Sequence, residues 1–314
     1  MAMQTAETVS IGRTGVLSDY VDLLRPAQWV KNVVVFAGPA AGLKLLHARS
    51  FLQALLTFVA FCLAASATYA INDVLDREAD ARHPTKRFRP VARGAIAPWM
   101  AAVVGAALIV VACGLSLALP NRLVTAAILF YFALTVAYSL TLKKRMILDV
   151  IVIATGFVIR AWAGSQAVGV AASEWLVACM FTLCLFLGFG KRRCEIAMMG
   201  GMDEAGRHRP TLLRYTPDLL NHLITVSAGI AVMTFLLYTM EPSRSPSPFP
   251  KEQLFYTLPV VVYGIFRFAM LTEIGAYSGP TEIVLKDKAL LLSILLWAIA
   301  ALVIVYQSVL FGGT

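Results

Sequence analysis

The sequence predicts an all-α, polytopic membrane protein with nine transmembrane helices, and three observations carry that expectation. Of 314 residues, 59% are hydrophobic and only 14% charged, with a mean hydropathy of +0.75. A water-soluble domain carries about 25% charged residues and under half apolar ones. The apolar residues fall into nine runs, and the basic residues alternate between dense and sparse from loop to loop.

A bilayer-crossing helix needs roughly 20 apolar residues, fewer when its flanks snorkel. A polar arm, residues 1–29, comes first. It has no apolar run followed by a small-residue cleavage site, so it does not read as a signal peptide. The first span, 30–46, is the weakest, being short and broken by Gly38-Pro39. The second, 51–71, stays apolar up to Ile71 and then meets Asn72-Asp73. Spans follow at 97–119 and 122–141, then at 147–169, which carries Asp149 and Arg160, and at 175–190. After a polar loop come 219–240, 254–271 with Arg267 inside it, and 289–311. These runs are rich in Ala, Leu and Val, as helices packed on helices in lipid should be. No long polar segment interrupts them, so 30–314 is expected to form one membrane domain.

The 27 Lys and Arg residues set the orientation. The arm has Arg13, Arg25 and Lys31. Loop 2–3 has Arg77, Arg82, Lys86, Arg87, Arg89 and Arg93, and loop 4–5 has Lys143, Lys144 and Arg145. Loop 6–7 has Lys191, Arg192, Arg193, Arg207, Arg209 and Arg214, and loop 8–9 has Lys286 and Lys288. That places 20 on one side against 5 on the other, namely Lys44, Arg49, Arg122, Arg244 and Lys251. By the positive-inside rule the N-terminus is cytoplasmic and the C-terminus outside, in a plasma (inner) membrane. Nucleic acid is not an expected partner, because the charge is spent on loops. The five cysteines form no Cys-x-x-Cys pair and read as small core hydrophobes.

Orientation does not explain the acids. The end of span 2 reads Asn72-Asp73-Val74-Leu75-Asp76-Arg77-Glu78-Ala79-Asp80. At helical spacing Asp73, Asp76 and Asp80 are i, i+3 and i+7 and share one face, with Asn72 joining through its i+4 relation to Asp76. Three like charges at a helix C-terminus repel one another and the dipole. The arrangement suits a hard divalent cation, Mg²⁺, sharing its shell with phosphate oxygens. The plainer alternative is a solvated helix end salted by Arg77 and Arg82. Directly downstream, His83-Pro84-Thr85-Lys86-Arg87-Phe88-Arg89-Pro90 packs cations into a proline-bounded loop. A carboxylate cluster followed by such a loop reads as a diphosphate site. Lys86, Arg87 and Arg89 would neutralise the leaving pyrophosphate, with topology alone as the competing explanation. His83, beside a proline, reads as a loop residue.

These motifs resemble the first signature of the UbiA superfamily of intramembrane prenyltransferases. The element Tyr138-Ser139-Leu140-Thr141-Leu142-Lys143 is similar to that family's Tyr-x-x-x-x-Lys segment after span 4. The resemblance implies a nine-helix bundle and a metal set of Asn72, Asp73, Asp76 and Asp80. One departure matters. Typical members carry a second acidic motif after span 6, where this chain has Lys191-Arg192-Arg193-Cys194-Glu195. One metal facing a cationic motif suits more phosphate charge than a prenyl diphosphate and a neutral aromatic acceptor bring.

The branch of decaprenyl-phosphate phosphoribosyltransferases, which serves arabinan precursor synthesis in actinobacterial cell walls, fits that departure. Its members resemble the chain at Leu24-Arg25-Pro26-x-Gln28-Trp29-x-Lys31-Asn32, in the 83–90 loop, at Lys191-Arg192-Arg193-x-Glu195 and at Gly279-Pro280-x-Glu282…Asp287. The resemblance implies 5-phosphoribosyl 1-diphosphate (PRPP) as donor and a polyprenyl (decaprenyl) phosphate as acceptor, with homo-oligomerisation possible. It assigns catalysis to Asp73, Asp76, Asp80, Lys86 and Arg89. Substrate contacts go to Gln28, Lys31, Arg87, Tyr138, Lys143, Lys191, Arg192 and Glu195. Asp149 and Arg160 join them as ionisable residues at membrane depth, Asp149 to bind ribose hydroxyls or orient Lys143. For Arg160 and Arg267 the alternative is pairing with a buried acid or carbonyl. The rival readings are an aromatic prenyltransferase of the same superfamily and, from another class, a secondary transporter. The acids at a helix end rather than at mid-membrane count against transport.

Overall fold

The computed structural model describes residues 15–83, 85–198, 215–241, 249–275 and 277–310. Arg13, Pro84, Arg207, Arg209, Arg214 and Arg244 lie outside the described residues. No strand occurs among the described residues, and eight helical segments are long and apolar enough to cross a membrane. The protein is an all-α integral membrane protein.

Among the described residues the first helix is α1 (Val16–Leu24), which lies before the first apolar run. A 3-10 helix, Pro26–Phe36, and the short α2 (Ala37–Ala41) occupy the expected first span. Pro26 sits at the start of the 3-10 segment and Pro39 inside α2, so no single long α-helix forms here. This segment is not among the eight; at about 2.0 Å rise per 3-10 residue it is nevertheless well extended.

The long helices then follow the expected runs closely: α3 (Ala48–Leu75), with α4 (Arg77–Ala81) behind it, α5 (Pro98–Leu117), α6 (Leu123–Leu140), α7 (Leu148–Ala167) and α8 (Glu174–Met198). The second half has α9 (Pro217–Met240), α10 (Leu258–Ile274) led by a 3-10 turn, the short α11 (Pro280–Lys286) and α12 (Lys288–Leu310).

Two apolar cores hold the bundle. Phe61, Ile128, Tyr131 and Ile159 join α3, α6 and α7, while Phe186, Leu220, Phe268 and Ile283 join α8, α9, α10 and α11. Small residues let helices approach closely, the usual device where lipid removes a hydrophobic driving force between helices. A Cβ on Gly164 of α7 would collide with the Val35 carbonyl, and one on Gly38 with Ser165. These two glycines let the first apolar segment lie flush on α7. A third cluster, Leu23, Ala70, Val91 and Ile96, docks α1 and the 83–96 loop at the end of α3. That docking positions the site.

Candidate active site

The acidic motif does not stay on one helix. The backbone leaves α3 at Asp76 (φ −96°, ψ 4°), and α4 restarts at Arg77, so the expected i, i+3, i+7 face is bent between Asp76 and Asp80. The carboxylates consequently divide. Asp73 is buried, and its Oδ1 accepts from Arg25 Nη2 at 2.5 Å and from Arg89 Nη1 at 3.2 Å. Arg89 Nη1 also donates to Asp80 Oδ2 at 2.6 Å, bridging the two acids. Asp76 turns toward the loop after α6, where Lys143 Nζ donates to both its oxygens at 2.6 and 2.7 Å. Asn72 is half-buried beside them.

Among the described residues no three of His, Cys, Asp and Glu stand close enough to hold a metal ion. The donor chemistry fits a hard cation even so. Asp73 Oδ2 is buried with no hydrogen-bond partner, a costly state for a carboxylate oxygen. Asp76 and Asp80 supply further oxygens now held by protein cations. Asp73, with Asp76 or Asp80 and with Asn72, are the residues that would hold Mg²⁺.

The basic loop is sorted by the fold. Arg89 faces the acids, whereas Arg87 is exposed and lies over the Phe88 ring at 4.9 Å. Lys86 is half-buried, and its backbone N–H reaches His83 Nδ1, which also accepts from Thr85 N–H. His83 thus has the loop role its proline neighbour suggested.

Arg25 is the site residue that sequence reasoning left out of the site. It adopts φ 53°, ψ 59°, a left-handed conformation uncommon outside glycine, and caps α1 through its N–H to the Val21 carbonyl. Ser66 Oγ donates to the Leu24 carbonyl at 2.7 Å and accepts from Trp29 Nε1 at 3.0 Å, pinning the chain on both sides of Arg25. The side chain crosses the Tyr69 ring to reach Asp73. Arg93 pairs with Asp19 of α1, which fixes the same arm from its other side. Gln28, half-buried, continues the turn with its N–H on the Arg25 carbonyl.

A second constellation forms at the end of α8. Arg192 is only 1% exposed and donates to Asp149 Oδ2 (2.9 Å) and Glu195 Oε2 (2.6 Å). Its charge is therefore sealed by carboxylates instead of being presented to a phosphate alongside Lys191. Lys191 itself is exposed, 3.9 Å from Glu195, and Tyr138 lies within electrostatic reach of Arg192. Asp149 Oδ1 accepts from Tyr215 OH at 2.9 Å, and the same hydroxyl accepts the Ile147 N–H at 2.6 Å. Ile147 has φ 69°, ψ −49°, and Leu148 N–H closes on the Met146 carbonyl, making the strained γ-turn that rarely occurs. Burial and the adjacent Asp149 carboxylate push the Tyr215 hydroxyl above its ordinary range, so it stays a donor. Asp149 thus orients Arg192 and Tyr215, and through Ile147 the start of α7 just after Lys143.

Arg160 is buried deep in α7. Its Nε donates to Asn32 Oδ1 (2.7 Å), Nη2 to Tyr131 OH (2.7 Å) and Nη1 to the Gly156 carbonyl (2.8 Å). Neutral oxygens take all three nitrogens, which is the carbonyl-type pairing weighed as the alternative to a substrate contact. Arg267 pairs with Asp287 through Nε and Nη2 at 3.2 and 2.8 Å. Lys31 is exposed.

Residues 33–274 match the UbiA prenyltransferase family. The chain is 34% identical over 290 residues to a decaprenyl-phosphate phosphoribosyltransferase of Corynebacterium glutamicum, covering 91% of this chain and 86% of that protein. It is 33% identical to the protein of the same name from Mycolicibacterium smegmatis, covering 90% of each. Among solved structures, a UbiA homolog from Archaeoglobus fulgidus bound to GPP and Mg²⁺ superposes with a TM-score of 0.68 at 17% identity, over 92% of this chain and 99% of that one.

Proposed function

The chain belongs to the UbiA prenyltransferase family, and we propose that it transfers 5-phosphoribose from PRPP to a polyprenyl phosphate such as decaprenyl phosphate, releasing pyrophosphate, as a step toward cell-wall arabinan. The observation that carries this reading is the end of α8. Where a second metal-binding acidic motif would serve a prenyl diphosphate, this chain has an exposed Lys191 and a buried Arg192 already neutralised by Asp149 and Glu195. The two carboxylates described there, Asp149 and Glu195, are both engaged by Arg192. Lys31 and Lys191, both exposed, add further positive charge on the arm and at the end of α8. That balance suits a donor with a diphosphate and a 5-phosphate, and an acceptor with a phosphate of its own.

Bound at Asp73, Asp76 or Asp80 with Asn72, Mg²⁺ would supply charge neutralisation for the departing diphosphate. Arg89 and Lys86 stabilise the leaving group from the loop, and Lys143 does so from the turn after α6. The ribose C1 passes through an oxocarbenium-like state, as glycosyl transfer does generally. The acceptor phosphate oxygen attacks from the opposite face, with inversion. It is ionised at neutral pH, so no general base is required. Lys31 and Lys191 hold the remaining phosphates. The arm (1–29) is cytoplasmic, and a single catalytic domain (30–314) lies in the plasma membrane with the site on its cytoplasmic side.

Purified protein in detergent tests the reading in two mixtures with Mg²⁺: labelled PRPP with polyprenyl phosphate, and labelled prenyl diphosphate with 4-hydroxybenzoate. Label in a lipid product of the first mixture is the expected result. Transfer confined to the second makes the protein an aromatic prenyltransferase instead.

A further inference from the structure

Asp73, Asp76 and Asp80 carry three negative charges, and Arg25, Arg89 and Lys143 answer them with three positive ones. The ligand-free set is therefore neutral. A divalent cation entering alone makes it net positive and meets the guanidinium and ammonium groups already seated on those carboxylates. A diphosphate entering alone meets carboxylates at close range. Arriving together, the two allow an exchange in which metal takes the carboxylate and guanidinium takes phosphate.

The three protein cations are not equivalent in this exchange. Arg89 bridges Asp73 and Asp80, so freeing it breaks two contacts. Lys143 holds Asp76, the least buried of the three acids. Among the described residues Arg25 has one carboxylate partner, Asp73, and that acid's other oxygen is the buried one without a partner. The Arg25 side chain is 22% exposed. Its backbone is pinned on both sides to Ser66, and α1 is tied down through Asp19 and Arg93, so the side chain can change partner while the chain stays in place.

The geometry points to Arg25 as an internal counter-ion that occupies Asp73 until a diphosphate draws it off, so that metal and diphosphate load interdependently. The inference rests on the reading of this site as one for a divalent cation and a diphosphate. It also follows that each ligand raises the affinity for the other by the same factor, as linkage requires.

The test is equilibrium dialysis of Mn²⁺ against the detergent-purified full chain, with and without pyrophosphate in both chambers so that free chelation cancels. In the wild type, pyrophosphate should raise protein-bound Mn²⁺ affinity at least tenfold. In Arg25→Gln, Mn²⁺ alone should bind at least tenfold more tightly than to wild type, and most of the pyrophosphate effect should vanish. Arg25→Lys keeps the charge and should stay close to wild type. Equal Mn²⁺ binding by wild type with and without pyrophosphate overturns the inference, whether or not Arg25→Gln folds. So does a folded Arg25→Gln that binds Mn²⁺ no better than wild type. Absence of Mn²⁺ binding in every condition overturns the site reading itself, a different result from either of these.

Discussion

Lys143 Nζ sits 2.6 and 2.7 Å from the two carboxylate oxygens of Asp76, tying the turn after α6 to the end of α3 across 67 residues of sequence. A charge-assisted contact of this kind contributes about 1.5–3 kcal/mol. If that contact prepares Lys143 to meet the diphosphate, Lys143→Met should lower kcat/KM for PRPP by roughly tenfold to a hundredfold. Steady-state kinetics check this. An unchanged kcat/KM removes Lys143 from the site.

Asp73 is the acid on which both Arg25 and Arg89 converge. Asp73→Asn keeps an oxygen for one of those guanidinium groups but discards the charge that would hold the metal. Turnover should fall by at least about a hundredfold, the scale of losing one preorganised electrostatic group. Size-exclusion behaviour should stay that of wild type. Retained Mg²⁺-dependent turnover in this variant would contradict the metal assignment.

Tyr215 holds the strained turn at Ile147 and the Asp149 carboxylate with a single hydroxyl. Tyr215→Phe leaves the buried Asp149 carboxylate and the partly buried Ile147 N–H each short of a partner, at up to about 1–3 kcal/mol each. The thermal midpoint should drop, and KM for one of the two phosphate substrates should rise because the turn at Ile147, just after Lys143, is no longer held. A fall in thermal midpoint with both KM values unchanged reduces Tyr215 to packing.

The long helices were legible because their apolar runs exceed the bilayer requirement and the loops alternate in charge; α3 and α5–α10 begin or end within a few residues of the runs that announced them. The first apolar run was harder, because Pro26 and Pro39 divide it between 3-10 and α geometry. The acidic motif was legible as chemistry but not as shape: nothing in the spacing of Asp73, Asp76 and Asp80 announces that the backbone bends at Asp76. Residues that act through distant partners were the least visible. Arg25 lies 48 positions from Asp73, and Tyr215 lies 66 from Asp149, with no periodicity linking either pair. Arg192 read as a phosphate ligand because its run is basic, and only the fold reveals that Asp149 and Glu195 seal it.

Topology offers an independent check on the membrane reading. If the Pro26–Ala41 segment crosses as a ninth span after a cytoplasmic arm, the positive-inside rule places the C-terminus outside. An alkaline phosphatase fusion after Thr314 should be active and a fluorescent-protein fusion dark. The reverse pattern would mean that the Pro26–Ala41 segment does not cross.

The central claim is that C1 of the ribose, carrying its 5-phosphate, moves to a lipid phosphate while the diphosphate departs. PRPP labelled with ³²P at the 5-phosphate in one preparation and at the β-phosphate in another tests this most directly, with decaprenyl phosphate, Mg²⁺ and purified protein. The account predicts 5-phosphate label in the lipid fraction and an equimolar amount of β-label in free pyrophosphate. Lipid that gains β-label, or lipid that gains no 5-phosphate label while no pyrophosphate is released, would contradict it.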